Sequence, residues 1–148
     1  MKTYVSYGSN MDLEQMEWRC PDAELACSGT LRGYRLLFRG SKTGSYATIE
    51  PCEGSGVPVL LWKISAEDEL SLDRYEGFPI FYQKKAVAVE TERGLVKGMA
   101  YVMDPRRPLG APSALYYGVL ERAYERFGFD KAILARALSD SVNPAQGK

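Results

Sequence analysis

Alternating apolar and polar positions recur along the first two thirds of the chain and predict β-strands, because successive strand side chains point to opposite faces. The predicted strands cover residues 3–7, 24–39 (as two strands or one bent strand), 46–51, 57–64, 81–90 and 95–103. Pro58 favours an edge position or a strand start for its segment. Residues 40–44 (GSKTG) predict a turn or mobile loop, and the turn around Glu92–Gly94 predicts a hairpin between the last two strands.

Polar capping residues followed by apolar positions predict three or four helices. The predicted helices cover residues 12–18, 65–75, 113–127 and 130–139. Asn10 or Asp12 can cap the first helix and Ser65 the second, while Gly77 and Gly128 are typical of helix ends. Together with about six or seven strands, mostly before the last two helices, the pattern predicts an α+β fold with a largely antiparallel sheet that can close as a barrel.

The composition fits one compact domain, which we place in residues 1–142, with residues 143–148 as a disordered tail. The 19 basic and 19 acidic residues cancel, so the basic excess of a nucleic-acid-binding protein is missing. No apolar run of about 18 residues predicts a membrane span, and the N-terminal residues lack the pattern of a signal peptide. We therefore expect a cytoplasmic protein that binds neither nucleic acid nor membranes.

The chain has no histidine, which restricts its chemistry. Ser-His-Asp triads, Cys-His dyads and histidine-based zinc sites are excluded, so proton transfer must use carboxylate, Tyr, Lys or Cys side chains. Cys20, Cys27 and Cys52 form no C-x-x-C pair and are expected to be reduced packing groups rather than nucleophiles.

Two segments carry residues suited to binding or catalysis. Tyr7-Gly8-Ser9-Asn10 lies between a strand and a helix, where consecutive N–H groups can hold an anion or a carbonyl oxygen. Glu76 lies at a helix end, where the helix dipole and neighbouring aromatic residues raise the pKa of a carboxyl group. Local sequence alone nevertheless favours an ordinary turn for the first segment and an exposed carboxylate for Glu76.

Other polar residues give weaker local signals. Asp73 competes with Glu76 but is expected on a solvated helix face. The tyrosines that can line a pocket, although packing is the expected role of most, are Tyr4, Tyr82, Tyr101, Tyr116 and Tyr117. The arginines expected at the surface, rather than as carboxylate partners, are Arg35, Arg39, Arg74 and Arg93.

Taken together, these segments resemble the γ-glutamylcyclotransferase-like (AIG2-like) family. The matching motifs are YVSYGSNM (4–11), RCP (19–21), GTLRGYRLLF (29–38), ATIEP (47–51), VLLWKIS (59–65), LDRYEGFPIFY (72–82) and GMAYVM (98–103). Pro112-Ser113 leading to Tyr116 is similar to the family's C-terminal segment. The matches follow family order over about residues 4–127, and the YGSN loop together with the EG element is specific enough to outweigh the local alternatives.

The resemblance implies a small, largely antiparallel mixed β-barrel with flanking helices. It also implies an enzyme that cyclises a small γ-glutamyl amide to 5-oxoproline and releases a free amine, with Glu76 as general acid/base and with no metal or organic cofactor. The substrate-binding residues that it implies are Tyr7, Gly8, Ser9, Asn10, Tyr82 and Tyr116. Neither the leaving amine nor the oligomeric state follows from it.

Two other functions stay open at this point. A non-catalytic module could use the same pocket to bind a γ-glutamyl or other amino-acid-like ligand. A γ-glutamyl hydrolase or transferase would need an activated nucleophile, and without histidine this must be Cys, Ser or Thr beside Lys or Glu.

Overall fold

Five strands close into a barrel in a computed structural model that describes residues 1–41 and 43–143. The strands are β1 (Lys2–Ser6), β2 (Glu24–Ser41), β3 (Gly44–Ile64), β4 (Tyr82–Thr91) and β5 (Gly94–Met103). They follow the order β1-β3-β2-β4-β5 around the barrel. All pairs are antiparallel except β1 with β5, which pair in parallel at Tyr4 and Met99 and complete the circle. The prediction of a largely antiparallel mixed barrel is confirmed.

Helices at the predicted positions flank the barrel. They are a 3-10 turn (Ser9–Met11), α1 (Leu13–Arg19), α2 (Ala66–Glu76), α3 (Ala114–Phe127) and α4 (Lys131–Val142). Asp12, and not Asn10, caps α1 by accepting hydrogen bonds from two backbone N–H groups. Ser65 starts α2 in a reciprocal capping box with Asp68, and Gly77 ends it in the left-handed conformation at φ 66°. Every helix described is too short or too polar to cross a bilayer.

The strands are fewer and longer than the predicted six or seven, because β2 and β3 each run through positions that looked like strand ends. Gly33 and Gly54 adopt φ values of 81° and 85°, which let the two strands bend without breaking. The strand predicted to end at Pro51 continues, and Pro58 pairs with β2 inside β3 rather than starting a strand. Pro58 lies beyond Leu60, where the pairing of β1 with β3 ends, so its missing N–H interrupts no bond to β1.

Two predictions fall partly outside the described residues. The expected turn at 40–44 is shorter than predicted, because Ser41 pairs with Gly44, and residue 42 lies outside the described part. The last helix extends to Val142 instead of residue 139. Residues 144–148, which belong to the expected disordered tail, lie outside the described residues. The tail and the domain limits therefore stay predictions.

The two C-terminal helices cover one side of the barrel with their apolar faces. Leu120 and Tyr124 of α3 and Leu134 of α4 are fully buried. Ser141 Oγ of α4 accepts a 2.9 Å hydrogen bond from the backbone N–H of Phe38 in β2. This packing holds α3 against the barrel, where it contributes to the cavity described below.

Barrel closure depends on a close approach between β2 and β4 at Gly29. A Cβ atom at this position would lie 2.6 Å from Val89 Cγ1 and 2.7 Å from the carbonyl oxygen of Glu90. The second distance involves a backbone atom, so no side-chain rotation relieves it. Only glycine therefore fits beside Thr30 and Glu90, the register pair that joins β2 to β4 in the described residues.

We expect Gly29→Ala to destabilise the protein by about 1–3 kcal/mol, the usual cost of forcing extra atoms into a packed contact. Urea denaturation followed by circular dichroism measures the change. The matched control is Gly118→Ala in α3, where the added Cβ would meet nothing closer than Arg122 Nη1 at 3.5 Å. That variant should gain up to about 1 kcal/mol from helix propensity, and equal stabilities of the two variants would contradict the closure argument.

Candidate active site

Two segments that are far apart in the chain meet at one end of the barrel. Asn10 Nδ2, in the 3-10 turn after β1, donates a 3.3 Å hydrogen bond to Glu76 Oε1 at the end of α2. Ser9 Oγ and the hydroxyl of Tyr75 lie 2.9 Å apart beside this contact. The meeting of the YGSN loop and the EG element, which the sequence could only suggest, is thus present in the tertiary structure.

The lengths of the elements bring these segments together. β1 and β3 are antiparallel, so the end of β3 at Ile64 lies beside Lys2, at the start of β1. The 11 residues of α2 then run back by about 16 Å, at 1.5 Å per residue. This span is close to the roughly 13 Å that β1 covers from its first to its last residue. The C-terminal end of α2 therefore returns to the turn that follows β1.

A cavity of about 430 Å³ opens at this junction. All seven residues predicted for the site line it: Tyr7, Gly8, Ser9, Asn10, Glu76, Tyr82 and Tyr116. Tyr4 and Tyr101, two further tyrosines considered from the sequence, also line the cavity. Asp73 does not line the cavity. The prediction that Asp73 lies on a solvated helix face is nevertheless wrong. Asp73 is partly buried, accepts a 2.6 Å hydrogen bond from the hydroxyl of Tyr101 and lies 3.0 Å from Lys84 Nζ.

The YGSN loop offers free backbone donors to the cavity. Within the described residues, the N–H groups of Gly8, Ser9 and Asn10 donate to no protein acceptor. The backbone is packed closely here, since a Cβ on Gly8 would lie 3.1 Å from the hydroxyl of Tyr116. Gly8 thus keeps the loop clear of Tyr116 and leaves donors that suit an oxyanion or a carboxylate.

Glu76 is the acidic side chain in the cavity lining, and its environment disfavours its charge. Burial raises the pKa of this carboxyl group from 4.5 to about 7, and the positive charge of Arg19 opposes the shift. The position at the C-terminal end of α2 acts in the same direction as burial, because the helix dipole is negative there. A carboxyl group with a pKa near neutrality can both take up and release a proton at physiological pH.

Three tyrosine side chains are fixed around the cavity by hydrogen bonds to the backbone. The hydroxyl of Tyr7 donates to the carbonyl of Tyr101, and the hydroxyl of Tyr82 donates to the carbonyl of Ala47 over 2.7 Å. The hydroxyl of Tyr116 accepts a 3.1 Å hydrogen bond from the N–H of Ala47. Burial raises the pKa of all three hydroxyls well above the ordinary value, so they stay neutral.

Arg19 is a residue of the site to which the sequence analysis gave no role. Its Nη1 donates to Asn10 Oδ1, and its guanidinium lies 3.4 Å from the centre of the Tyr75 ring. The RCP motif that contains Arg19 was matched only as part of the resemblance, because nothing local links a residue at the end of α1 to α2. The expectation for Arg39 is wrong, since it is largely buried and paired with Glu50.

The cysteines and carboxylates form no second centre in the described residues. Burial raises the pKa of the Cys20 thiol to about 12, which makes it a poor nucleophile. Cys27 is exposed and Cys52 is half-buried, and all three thiols are free. No three carboxylate or thiol groups in residues 1–41 and 43–143 lie together as metal ligands.

Comparisons with known proteins agree with this geometry. The family model described as gamma-glutamyl cyclotransferase, AIG2-like, matches residues 4–122. The human protein named gamma-glutamylcyclotransferase is 34% identical over 99 residues, which make up 62% of this chain and 53% of the human protein. The chain thus spans about half the length of the curated relatives that it matches.

Solved structures share the fold over nearly the whole chain. A structure named gamma-glutamyl cyclotransferase superposes with a TM-score of 0.83 at 26% identity and covers 99% of this chain and 92% of its own. YkqA from Bacillus subtilis, at 22% identity and a TM-score of 0.79, shares the fold over 95% of this chain and 55% of its own. The chain therefore belongs to the gamma-glutamyl cyclotransferase, AIG2-like family.

Proposed function

We propose that this protein is a γ-glutamylcyclotransferase that converts a small γ-glutamyl amide into 5-oxoproline and a free amine. The observation that carries the proposal is the contact between Asn10 and Glu76 inside the cavity, where backbone donors and a titratable carboxyl group share one space. Family membership and the name of the human relative support the same reaction.

The substrate supplies its own nucleophile, since its α-amino group attacks its γ-carbonyl carbon and closes a five-membered ring. Correct orientation of such an intramolecular attack can lower the barrier by roughly 7–11 kcal/mol. The fixed tyrosines Tyr7, Tyr82 and Tyr116 give the cavity a rigid wall against which the γ-glutamyl group can fold. In this proposal their main role is therefore to hold the substrate in the attack geometry.

Glu76 moves the protons that the reaction requires. The α-amino group is protonated at neutral pH and cannot attack until a base removes a proton. Glu76 takes a first proton from the ammonium group, which frees the nitrogen lone pair for attack, and delivers this proton to the leaving nitrogen as the amide C–N bond breaks. The attacking nitrogen loses a second proton to Glu76 as the lactam forms, and the released amine takes up that proton and leaves as an ammonium ion. A pKa of about 7 suits both steps, because neither protonation state of the carboxyl group is rare at neutral pH.

The N–H groups of Gly8, Ser9 and Asn10 complete the proposed machinery. They can stabilise the oxyanion that develops on the γ-carbonyl oxygen or bind the α-carboxylate of the substrate. Proton transfer and amide donors account for every step, so the mechanism uses no metal or organic cofactor. The proposed compartment is the cytoplasm, where the free thiols of Cys20, Cys27 and Cys52 would stay reduced.

We expect Glu76→Gln to fold and to bind γ-glutamyl amides but to lose about 100- to 10,000-fold in kcat, because the amide side chain cannot move protons. Release of 5-oxoproline measured by mass spectrometry tests this. The matched control is Glu17→Gln, which changes an exposed carboxylate on α1 and should keep normal activity. A Glu76→Gln enzyme with near-normal turnover would overturn the proposed role, and glutamate in place of 5-oxoproline would indicate a hydrolase.

The raised pKa of Glu76 also predicts a pH-dependent stability difference. Folding favours the neutral carboxyl group, so this contribution is complete below pH 4.5 and is lost as the pH rises through about 7. Glu76→Gln is neutral at every pH, so its free energy of unfolding should rise relative to the wild type by up to about 3 kcal/mol between pH 4.5 and 8. Urea titrations at the two pH values measure the difference, and a constant difference would contradict the buried, titrating carboxyl group.

A further inference from the structure

The cavity changes character from its floor to its mouth. The floor, formed by Tyr4, Tyr7, Asn10 and Tyr82, is buried and polar. The mouth, formed by Tyr46, Tyr75 and Phe81, is aromatic and open to solvent, with Tyr46 39% and Tyr75 45% exposed.

The aromatic rings of one wall of the mouth come from separate elements and pack edge to face. Tyr46 of β3 lies 6.0 Å from Phe81, which precedes β4, and 5.3 Å from Tyr116 of α3 between ring centres. Phe81 is itself half-buried, so all three rings of the mouth keep some surface in contact with water. Apolar surface of this kind around a cavity is typical of a binding surface.

The proposed reaction fixes which part of the substrate reaches this mouth. The γ-carbonyl must lie near Glu76 and the N–H groups of Gly8–Asn10, so the charged glutamyl end belongs on the polar floor and the amine extends outwards. Apart from tyrosines, Glu76 and Arg74 are the ionisable residues in the cavity lining. A leaving amine with an extra positive charge would thus be repelled by Arg74 and would find no carboxylate partner among the described lining residues besides the reacting Glu76.

We propose that the mouth of Tyr46, Tyr75 and Phe81 is a leaving-group subsite that selects γ-glutamyl amides whose amine carries an aromatic or large apolar side chain. This inference rests on the proposed function for the direction in which the substrate lies. Its physical basis is the burial of the side chain against exposed aromatic rings, which removes apolar surface of both partners from water.

The test compares γ-glutamylphenylalanine, γ-glutamylglycine and γ-glutamyllysine joined through its α-amine. We expect kcat/KM to be at least about 10-fold higher for the phenylalanine amide, in line with the partial burial of one ring. Tyr46→Ala should remove most of that preference. Trp18→Ala, which removes an 85% exposed aromatic ring outside the cavity, should leave it unchanged.

Calorimetric affinities of the same amides for Glu76→Gln separate this proposal from the proposed function. Tighter binding of the phenylalanine amide supports the subsite even if the wild type releases no 5-oxoproline, a result that would overturn the enzyme assignment alone. Equal affinities for the phenylalanine and glycine amides would overturn the subsite even if both amides are cyclised.

A second inference concerns Arg19 and follows from hydrogen-bond chemistry alone. A guanidinium group has only donors, so Asn10 must turn its Oδ1 towards Arg19 Nη1. Asn10 Nδ2 then faces the hydroxyl of Tyr4 at 2.9 Å and Glu76 Oε1 at 3.3 Å. A reversed amide would place an oxygen atom against the carboxylate. Gln15 Oε1, 3.3 Å from Arg19 Nη2, helps to hold the guanidinium in place.

We infer that Arg19 is a positioning residue that orients the Asn10 amide and, through it, the Glu76 carboxyl group. The inference rests on the proposed function for the role of Glu76. The titratable and charged groups that face Glu76 are Arg19 on α1, Tyr4 on β1, Tyr7 just after β1, Tyr82 on β4, Tyr116 on α3, and Arg74 and Tyr75 on α2. The buried tyrosines stay neutral and Arg74 is exposed to solvent, so Arg19 is the cation whose charge lowers the pKa of the Glu76 carboxyl group.

The pH profile of kcat/KM tests this role. In Arg19→Gln the acidic limb should move up from about pH 7 by about one unit, because a positive charge beside the carboxyl group is lost. Arg19→Lys keeps the charge and should restore the position of the limb, and Arg93→Gln, an exposed arginine away from the cavity, should change nothing. An unchanged limb in Arg19→Gln would overturn the inference.

A readout that needs no turnover covers the case in which the enzyme assignment fails. Carbon-13 NMR of the labelled Glu76 carboxyl group reports its pKa in the protein without substrate. The same upward shift in Arg19→Gln supports the positioning role whatever the reaction, and an identical titration in wild type and variant would contradict it.

Discussion

A carboxyl group held partly out of water is the constraint on which the site depends. Glu76 ends α2, where the helix dipole opposes negative charge, and its direct side-chain partner is the amide of Asn10. The guanidinium of Arg19 hydrogen-bonds that amide instead of the carboxyl group, and its positive charge acts on Glu76 from behind the amide. The balance between burial and this indirect charge leaves the pKa of Glu76 near neutrality, instead of low, as in a direct ion pair.

The barrel positions the Glu76 carboxyl group because it fixes where β1 and α2 end. β1 leads into the YGSN turn, and the antiparallel pairing of β1 with β3 makes α2 start at the opposite end and run back. The 3-10 turn and the last turn of α2 therefore meet without a long loop, and the tyrosines of β1, β4 and α3 close the cavity around them. Rigid elements thus place every group of the proposed machinery, which favours precise substrate orientation.

In the proposed mechanism, the floor of the cavity binds the γ-glutamyl group and the mouth binds the leaving amine. The buried floor presents hydroxyl, amide and carboxyl groups whose hydrogen bonds hold them in place, as the cyclising end of a substrate requires. The mouth presents aromatic rings that stay partly exposed, so the choice of leaving amine can change there without a change at Glu76.

Features that depend on neighbouring residues were readable from the sequence. Alternation predicted the sheet positions, and the caps Asp12, Ser65, Ser113 and Asp130 marked the helix starts. The lack of histidine limited proton transfer to carboxylate, Tyr, Lys or Cys side chains. Only the tertiary structure decided that β2 and β3 are continuous and that Arg19 reaches Asn10. It also decided that Glu76 is buried in the cavity, which is the main cause of its raised pKa. Strand continuity and pKa arise from bends, burial and charges contributed by distant segments, and no local pattern encodes those contacts.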